Sequence, residues 1–273
     1  MSVDLDKYFA RIGYDGPRDN SLETLRALHS LHPQAIPFEN LDPLLKRPVK
    51  LDAASLQAKM LDAGRGGYCF EHNTLFANVL RQLGFEVQEA TARVRWSVPE
   101  GVRTPRVHCL LFVEAEGDDY LADVGFGGNV LTAPLKLDVR GEQETPHEDF
   151  RLVDEDDRIV VQEAKIAGQW TPLYAYDFAD THPADYEMGN WLTSTHPDSI
   201  FLNGLLGARC EPGKRYAIRD NQLAVHSTGG GTEKKTLKTA GEMRDALTDL
   251  FKLRLGQLDG LDPVLASLAA RSA

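Results

Sequence analysis

The chain has 273 residues, 42% of them hydrophobic and 26% charged, as suits a globular protein of two or three packed units. A formal net charge of −11 at pH 7 argues against general affinity for nucleic acid or an anionic membrane surface, both of which reward a basic face. The three widely spaced cysteines, Cys69, Cys109 and Cys210, do not read as a disulfide framework and fit a reducing, cytoplasmic setting.

The N-terminal stretch carries Asp4, Asp6 and Lys7 and shows neither the basic nor the apolar region of a signal peptide. No apolar run approaches the ~20 residues that span a bilayer. Leu22, Leu25, Leu28 and Leu31 recur at near-helical spacing, with Asn20 ahead of them as the expected cap and Glu23 as its capping-box partner. A second helix is expected from Asp52 as N-cap through Leu56, Met60 and Leu61 to Gly64. Between them, Ile36-Pro37-Phe38-Glu39-Asn40-Leu41 contains a helix-blocking proline and reads as a loop with buried anchors. Glu39 in so apolar a setting needs a cationic partner, and Arg65 is the candidate.

Two glycines then lead into a cysteine, in Arg65-Gly66-Gly67-Tyr68-Cys69-Phe70-Glu71-His72-Asn73. Leu75, Phe76, Val79, Leu80 and Leu83 follow with helical period, and Gly84 stops the pattern. Cys69 thus stands at a helix start, where free backbone N–H groups and the positive end of the helix dipole favour a thiolate.

After Gly84 the period changes to two: Ala90, Ala92, Val94 and Trp96 alternate with charged and polar neighbours, the mark of a half-buried strand. Further strands are expected at 107–113, 120–124, 150–153, 158–163 and 170–174, giving an antiparallel sheet or small barrel. A helical connector is expected over 183–194, and a hairpin joins 215–218 to 222–225. A last helix begins near Thr239, capped by Glu242, and the tail beyond Leu261 reads as dispensable. The expected units are a helical bundle over 1–84, a barrel over 85–182, a connector over 183–198 and an α/β unit over 199–273, an α+β protein as a whole.

A cysteine nucleophile needs a base, and a third group to orient that base. Of eight histidines, His29, His32, His147, His182 and His196 read as surface residues in helix ends, loops or turns. His72, three residues from Cys69, is a competitor for the role of base. His108 sits in the apolar strand Val107 to Val113, and Asp123 in the next apolar strand, so a hairpin would let each explain the other's burial. The resulting set is Cys69, His108 and Asp123, suited to acyl transfer through a thioester. Cys69, His72, His108 and Cys109 supply four zinc-type ligands on paper, but neighbours in a strand face opposite ways, so no metal is expected. Cys109 and Cys210 then read as packing residues. Gly125-Phe126-Gly127-Gly128 lacks the spacing and following helix of a dinucleotide fingerprint, and the turn from Ser227 to Lys235 lacks Walker spacing.

With these residues in hand, the chain resembles the arylamine N-acetyltransferases. The motifs that carry the resemblance are Ile36 to Leu41, Arg65 to Asn73, Val107-His108 and Asp123-Val124-Gly125-Phe126-Gly127, in family order across essentially the whole chain. The resemblance implies a helical N-terminal unit, a β-barrel and a C-terminal α/β lid. It implies a ping-pong reaction in which Cys69 takes acetyl from acetyl-CoA and passes it to an arylamine, arylhydrazine or N-hydroxyarylamine. It also implies that Phe38, Tyr68, Phe126 and Phe201 line the acceptor pocket and that Val94, Trp96 and Gly127 lie towards coenzyme A. By the same token Glu39 and Arg65 form a structural ion pair. A cysteine hydrolase or a macrocycle-forming amide synthase would use the same triad, and a zinc-stabilised binding module is the alternative from another class. Oligomeric state is not legible.

Overall fold

In the computed structural model, which describes residues 2–99, 101–256 and 258–271, three capped helices form the first packed unit. Helix α1 (Leu5–Ile12) is capped by Asp4 and ends at Gly13 in the left-handed region. Helix α2 (Leu22–Ala35) is capped by Ser21, one residue later than expected, because the Ser21 hydroxyl accepts the Thr24 N–H while Asn20 donates to the Gly84 carbonyl. The two-residue strand β1 (Phe38–Glu39) and the short α3 (Leu41–Leu44) follow the proline. Asp52 caps α4 (Ala53–Leu56), which runs on as a π-helical turn over Gln57–Asp62 before Gly64 at φ +67°. Helix α5 (Cys69–Gln82) begins at the cysteine, and the chain reverses at Gly84.

The strands come next: β2 (Glu86–Val94), β3 (Arg106–Ala115), β4 (Asp118–Ala122), β5 (Leu135–Lys136), β6 (Glu142–Gln143), β7 (Phe150–Asp154), β8 (Val160–Ile166) and β9 (Gln169–Tyr176). They form one eight-stranded antiparallel sheet in the order β5-β4-β3-β2-β9-β8-β7-β6. Its two edges are bridged by a side chain: the Gln143 amide accepts the Lys136 N–H at 2.8 Å and donates to the Lys136 carbonyl at 3.1 Å. That pair takes the place of a strand ladder and leaves the sheet a nearly closed barrel. Period two divides β3 between two cores. Leu111, Val113 and Ala115 pack on the helices, whereas Leu110 and Phe112 fill the barrel with Leu121, Leu152 and Leu173.

Helix α6 (Pro183–Thr195) lies across β2 and β3, and its Tyr186 hydroxyl reaches the Ala90 and Leu110 carbonyls, each at 3.2 Å. After α7 (Ile200–Asn203), strands β10 (Leu206–Glu211), β11 (Lys214–Arg219), β12 (Gln222–Ser227) and β13 (Thr232–Thr236) make a second antiparallel sheet, with β1 on its edge. The sequence signals for β10 and β13 are weak; β13 is an exposed edge strand of threonine, glutamate and lysine with no apolar face to alternate. Helices α8 (Ala240–Asp249) and α9 (Leu261–Ala269) pack behind this sheet. The tail beyond Leu261 is therefore not dispensable. Leu261, Leu265 and Leu268 are buried among Leu41, Leu44 and Phe251, and the Asn221 amide donates to the Ala269 and Arg271 carbonyls.

Among the described residues, no helix is long and apolar enough to cross a membrane.

Candidate active site

Arg65 to Asn73 lies where the helices, the barrel and the second sheet meet. Its approach to the helix is held from behind by charge. The Arg65 guanidinium pairs with Glu39 at 2.6 Å, and the Glu39 carboxylate also accepts the Leu41 N–H at 2.6 Å. Asp42 extends the set through Lys59, whose ammonium lies 2.6 Å from both Asp42 and Glu71. Glu71 in turn accepts the Tyr68 N–H at 3.1 Å, tying the network to the first turn of α5. Burial pushes the Glu71 carboxyl up to about 7, with Lys59 pulling the other way. The Glu39–Arg65 pair is where the burial argument expects it. The contributions of Lys59, Asp42 and Glu71 have no sequence pattern that points to them.

Two glycines are required by close approach. A Cβ on Gly66 would stand 1.9 Å from the Pro37 carbonyl oxygen. One on Gly125 would stand 2.9 Å from the Cys69 Cα, so the segment after Asp123 can lie directly against the cysteine.

Cys69 is 4% exposed, His108 3% and Asp123 fully buried. His108 Nε2 donates to Asp123 Oδ2 at 2.8 Å, and since an ionised carboxylate only accepts, this bond sets the ring tautomer and leaves Nδ1 for the thiol. The other carboxylate oxygen accepts the Asn73 amide and the Gly125 N–H, each at 2.9 Å. Asn73 also donates to the Cys109 carbonyl at 2.7 Å and accepts the Val124 N–H at 3.1 Å. One amide thus locks α5 to β3 and to the segment that follows β4, where Asp123 lies just past the strand's end at Ala122. The position of Asn73 four residues after Cys69, on the same helix face, is the signal that could have found it.

The electrostatics follow from these contacts. Burial pushes the Cys69 thiol up, but hydrogen bonding to Cys109 and His108 and the charge on His108 outweigh it and bring the group down to about 6. Burial pulls His108 down, but the Asp123 charge and hydrogen bond, together with Cys69, raise it to about 10. Both shifts favour the thiolate–imidazolium form of the pair at neutral pH. Cys109, fully buried, packs in the same cluster as Cys69, Tyr68 and Phe70. Tyr174 and Phe126 enclose the imidazole, with ring centroids 4.7 and 5.0 Å from it.

One expectation about histidines is overturned. His29 and His32 are fully buried on α2 rather than at the surface. His29 Nε2 accepts the Asp123 main-chain N–H at 3.1 Å, and His32 bonds His72 at 2.9 Å. His72 does not reach the thiol: one ring nitrogen meets His32 and the other the Pro37 carbonyl at 3.2 Å. Both ring nitrogens are thus occupied, which also removes His72 from the four-ligand zinc set.

Phe38, Tyr68 and Phe201 gather beside Cys69, with Tyr68 and Phe201 centroids 5.4 Å apart and Phe38 and Phe201 6.2 Å apart. The Tyr68 hydroxyl donates to the Asn190 side chain, which ties this group to α6. Gly127, at φ +78°, opens a 3-10 turn against Phe38. Val94, half-buried at the end of β2, pairs across the sheet with Tyr174. Trp96 is 39% exposed beyond that strand, its N–H bonded to the Leu173 carbonyl at 3.0 Å. No group of three or more His, Cys, Asp or Glu side chains among the described residues could hold a metal ion.

The chain is similar to known proteins along nearly its full length. The N-acetyltransferase family profile matches residues 21–259. An arylamine N-acetyltransferase of Mycolicibacterium smegmatis is 43% identical over 266 residues, covering 96% of each chain. A protein of Salmonella typhimurium named arylamine N-acetyltransferase / N-hydroxyarylamine O-acetyltransferase is 37% identical, over 93% of this chain and 90% of the relative. Among solved structures, that of the Mycobacterium marinum arylamine N-acetyltransferase in complex with CoA superposes with a TM-score of 0.92 at 38% identity, over 97% of this chain and 99% of the other.

Proposed function

The chain belongs to the arylamine N-acetyltransferase family, and on that premise we propose that it moves an acetyl group from acetyl-CoA to an aromatic amine, hydrazine or N-hydroxyarylamine through a thioester on Cys69. The observation that carries the reading is the 2.8 Å His108–Asp123 bond in a buried site that also holds the Cys69 thiol at the start of α5. In the first half-reaction the Cys69 thiolate attacks the acetyl carbonyl, the carbon–sulfur bond to coenzyme A breaks, and the leaving thiolate takes the proton from His108. In the second, the amine attacks the thioester carbonyl, His108 accepts the amine proton at Nδ1, and Cys69 leaves as a thiolate. Asp123 keeps the ring oriented through both halves and stabilises its charge.

Phe38, Tyr68, Phe126 and Phe201 are the acceptor-facing residues of this reading, because flat rings stack on such surfaces. Val94, Trp96 and Gly127 face the coenzyme side, and Glu39 with Arg65 supports the nucleophile from behind. The nucleophile comes from the helical part over 1–84, the base and aspartate from the barrel over 85–182, with the connector over 183–198 and the lid over 199–273 completing the site. A cytoplasmic setting is supported by three cysteines that are all free thiols.

The test is incubation of the intact protein with acetyl-CoA alone, followed by mass spectrometry. One acetyl group should appear on Cys69 and be discharged by an arylamine. A folded protein that leaves Cys69 unmodified would sink the proposal.

A further inference from the structure

Behind the nucleophile helix lies a chain of buried polar groups that the transfer chemistry does not use. The Tyr8 hydroxyl meets His32 Nδ1 at 2.9 Å, His32 Nε2 meets His72 Nδ1 at 2.9 Å, and His72 Nε2 meets the Pro37 carbonyl at 3.2 Å. Tyr8 and His32 are fully buried and His72 is 1% exposed. The direction of the chain follows from its end. A carbonyl only accepts, so His72 Nε2 carries the hydrogen and its neutral Nδ1 accepts from His32; His32 Nδ1 then accepts from Tyr8. Burial holds the His72 ring well into the neutral range, down to about 4, which agrees with this order.

The chain ends on the residue before Phe38. The Pro37 carbonyl also accepts the Gly67 N–H at 3.4 Å, and Phe38 forms a parallel bridge with Gly67, so His72 and the approach to Cys69 grip the same short loop. Beyond that, the rings of His72 and Phe38 are parallel within 6°, their centroids 6.3 Å apart. Phe201 stands at a tilt to Phe38, 6.2 Å away, so the phenyl ring has an imidazole and a second aromatic ring as neighbours. Phe38 is only half-buried, packed against the cluster that contains Tyr68 and Cys69. An aromatic platform beside the nucleophile is thus set in angle by an imidazole that is itself set by two hydrogen bonds.

We infer that His72 is a positioning residue for the aromatic acceptor, acting through the Pro37 carbonyl and through its parallel contact with Phe38, and that it leaves loading of Cys69 untouched. The inference rests on the reading of Phe38 as an acceptor wall. One helix turn would thus carry both functions: Cys69 opens α5, and His72, three residues on, supports the wall that the incoming ring would meet.

The test separates the two half-reactions. His72→Gln keeps a donor for Pro37 but removes the flat ring and leaves no acceptor at the Nδ1 position that His32 meets. Its affinity for 4-methylaniline, titrated directly onto the unacetylated protein, should fall by roughly 3- to 10-fold, the scale of one aligned aromatic contact. The rate at which acetyl-CoA loads Cys69 should stay within about twofold of the parent, since no interaction of that step is removed. In a Phe38→Ala background the same substitution should cost less than about twofold in amine affinity, because residues acting through one another are not additive. Unchanged amine affinity, an equal fall in the loading rate, or full additivity with Phe38→Ala would each overturn the assignment. Should His72→Gln fail to fold, Tyr8→Phe, which removes the donor at the far end of the chain, must weaken 4-methylaniline binding in the same sense, and no change there overturns it too. If the parent protein is not acetylated by acetyl-CoA, the thioester reading falls, while the amine titrations still decide the role of His72.

Discussion

At the scale of single residues, the site turns on a thiol whose burial and whose neighbours pull in opposite directions. The neighbours win, and Cys69 sits near 6 instead of the ordinary 9.0. A group held lower in this way is a thiolate above its own value. The rate of Cys69 alkylation by iodoacetamide should therefore rise through a midpoint near pH 6 and be level by pH 8. In His108→Gln the charge and the share of hydrogen bonding that His108 sets against burial are gone, and the midpoint should move up by at least one pH unit. An unshifted midpoint in that variant would mean the thiolate owes nothing to His108. The identities of these groups were legible in the sequence because each was a chemical anomaly: a cysteine after two glycines, a histidine and an aspartate in neighbouring apolar strands. Asn73 and His29 were not anomalous in that sense. Both act on Asp123, one from α5 and the other from α2, and only packing brings them there.

At the scale of elements, the approach to α5 is decided by backbone contact. The Gly66 Cα faces the Pro37 carbonyl oxygen so closely that any side chain must displace the loop carrying Phe38 and Glu39. Gly66→Ala should therefore destabilise the fold by about 1–3 kcal/mol, the usual cost of overpacking. It should also slow acetylation of Cys69 by on the order of 100-fold through misplacement of the nucleophile. Gly141→Ala, where an added Cβ would meet nothing within 4 Å, is the control and should match the parent in both denaturation and single-turnover measurements. Helix periods, caps at Asp52 and Thr239, and the long strands were readable because each has a local cause in hydrophobic spacing or capping chemistry. The two-residue strands β1, β5 and β6 carry no such pattern. β1 exists because β10, far along the chain, presents a ladder, whereas β5 and β6 are held by their neighbours β4 and β7 and by the Gln143 amide that joins them.

At the scale of the molecule, the buried histidines make stability depend on pH. His29 and His72 are lowered by burial from 6.5 to about 4, and burial lowers His32 still more strongly. The unfolded chain therefore binds more protons than the folded one between these values, so the stability these groups contribute is complete above about pH 6.5 and lost as pH falls towards 4. Glu71, raised by burial to about 7, and His108, raised to about 10 chiefly by Asp123, work in the opposite sense, but they are two groups against three, and His108 has only begun to lose its contribution at pH 7. Chemical denaturation should show a protein several kcal/mol less stable at pH 4.5 than at pH 7. Flat stability over that interval would contradict the neutral histidine chain. The same histidines mark the boundary between what the sequence by itself determined and what it left open. Local patterning determined the helical start, the barrel strands, the identities of Cys69, His108 and Asp123 and the resemblance they carry, because helical and strand periods and short motifs are properties of neighbouring residues. Tertiary structure alone decided that His32 and His72 lie in the core and that α9 belongs to it. It also decided that Lys59 and Asn73 anchor the nucleophile helix. These depend on the close packing of elements that are separate in the chain, where a buried polar group must take whatever partner the fold presents.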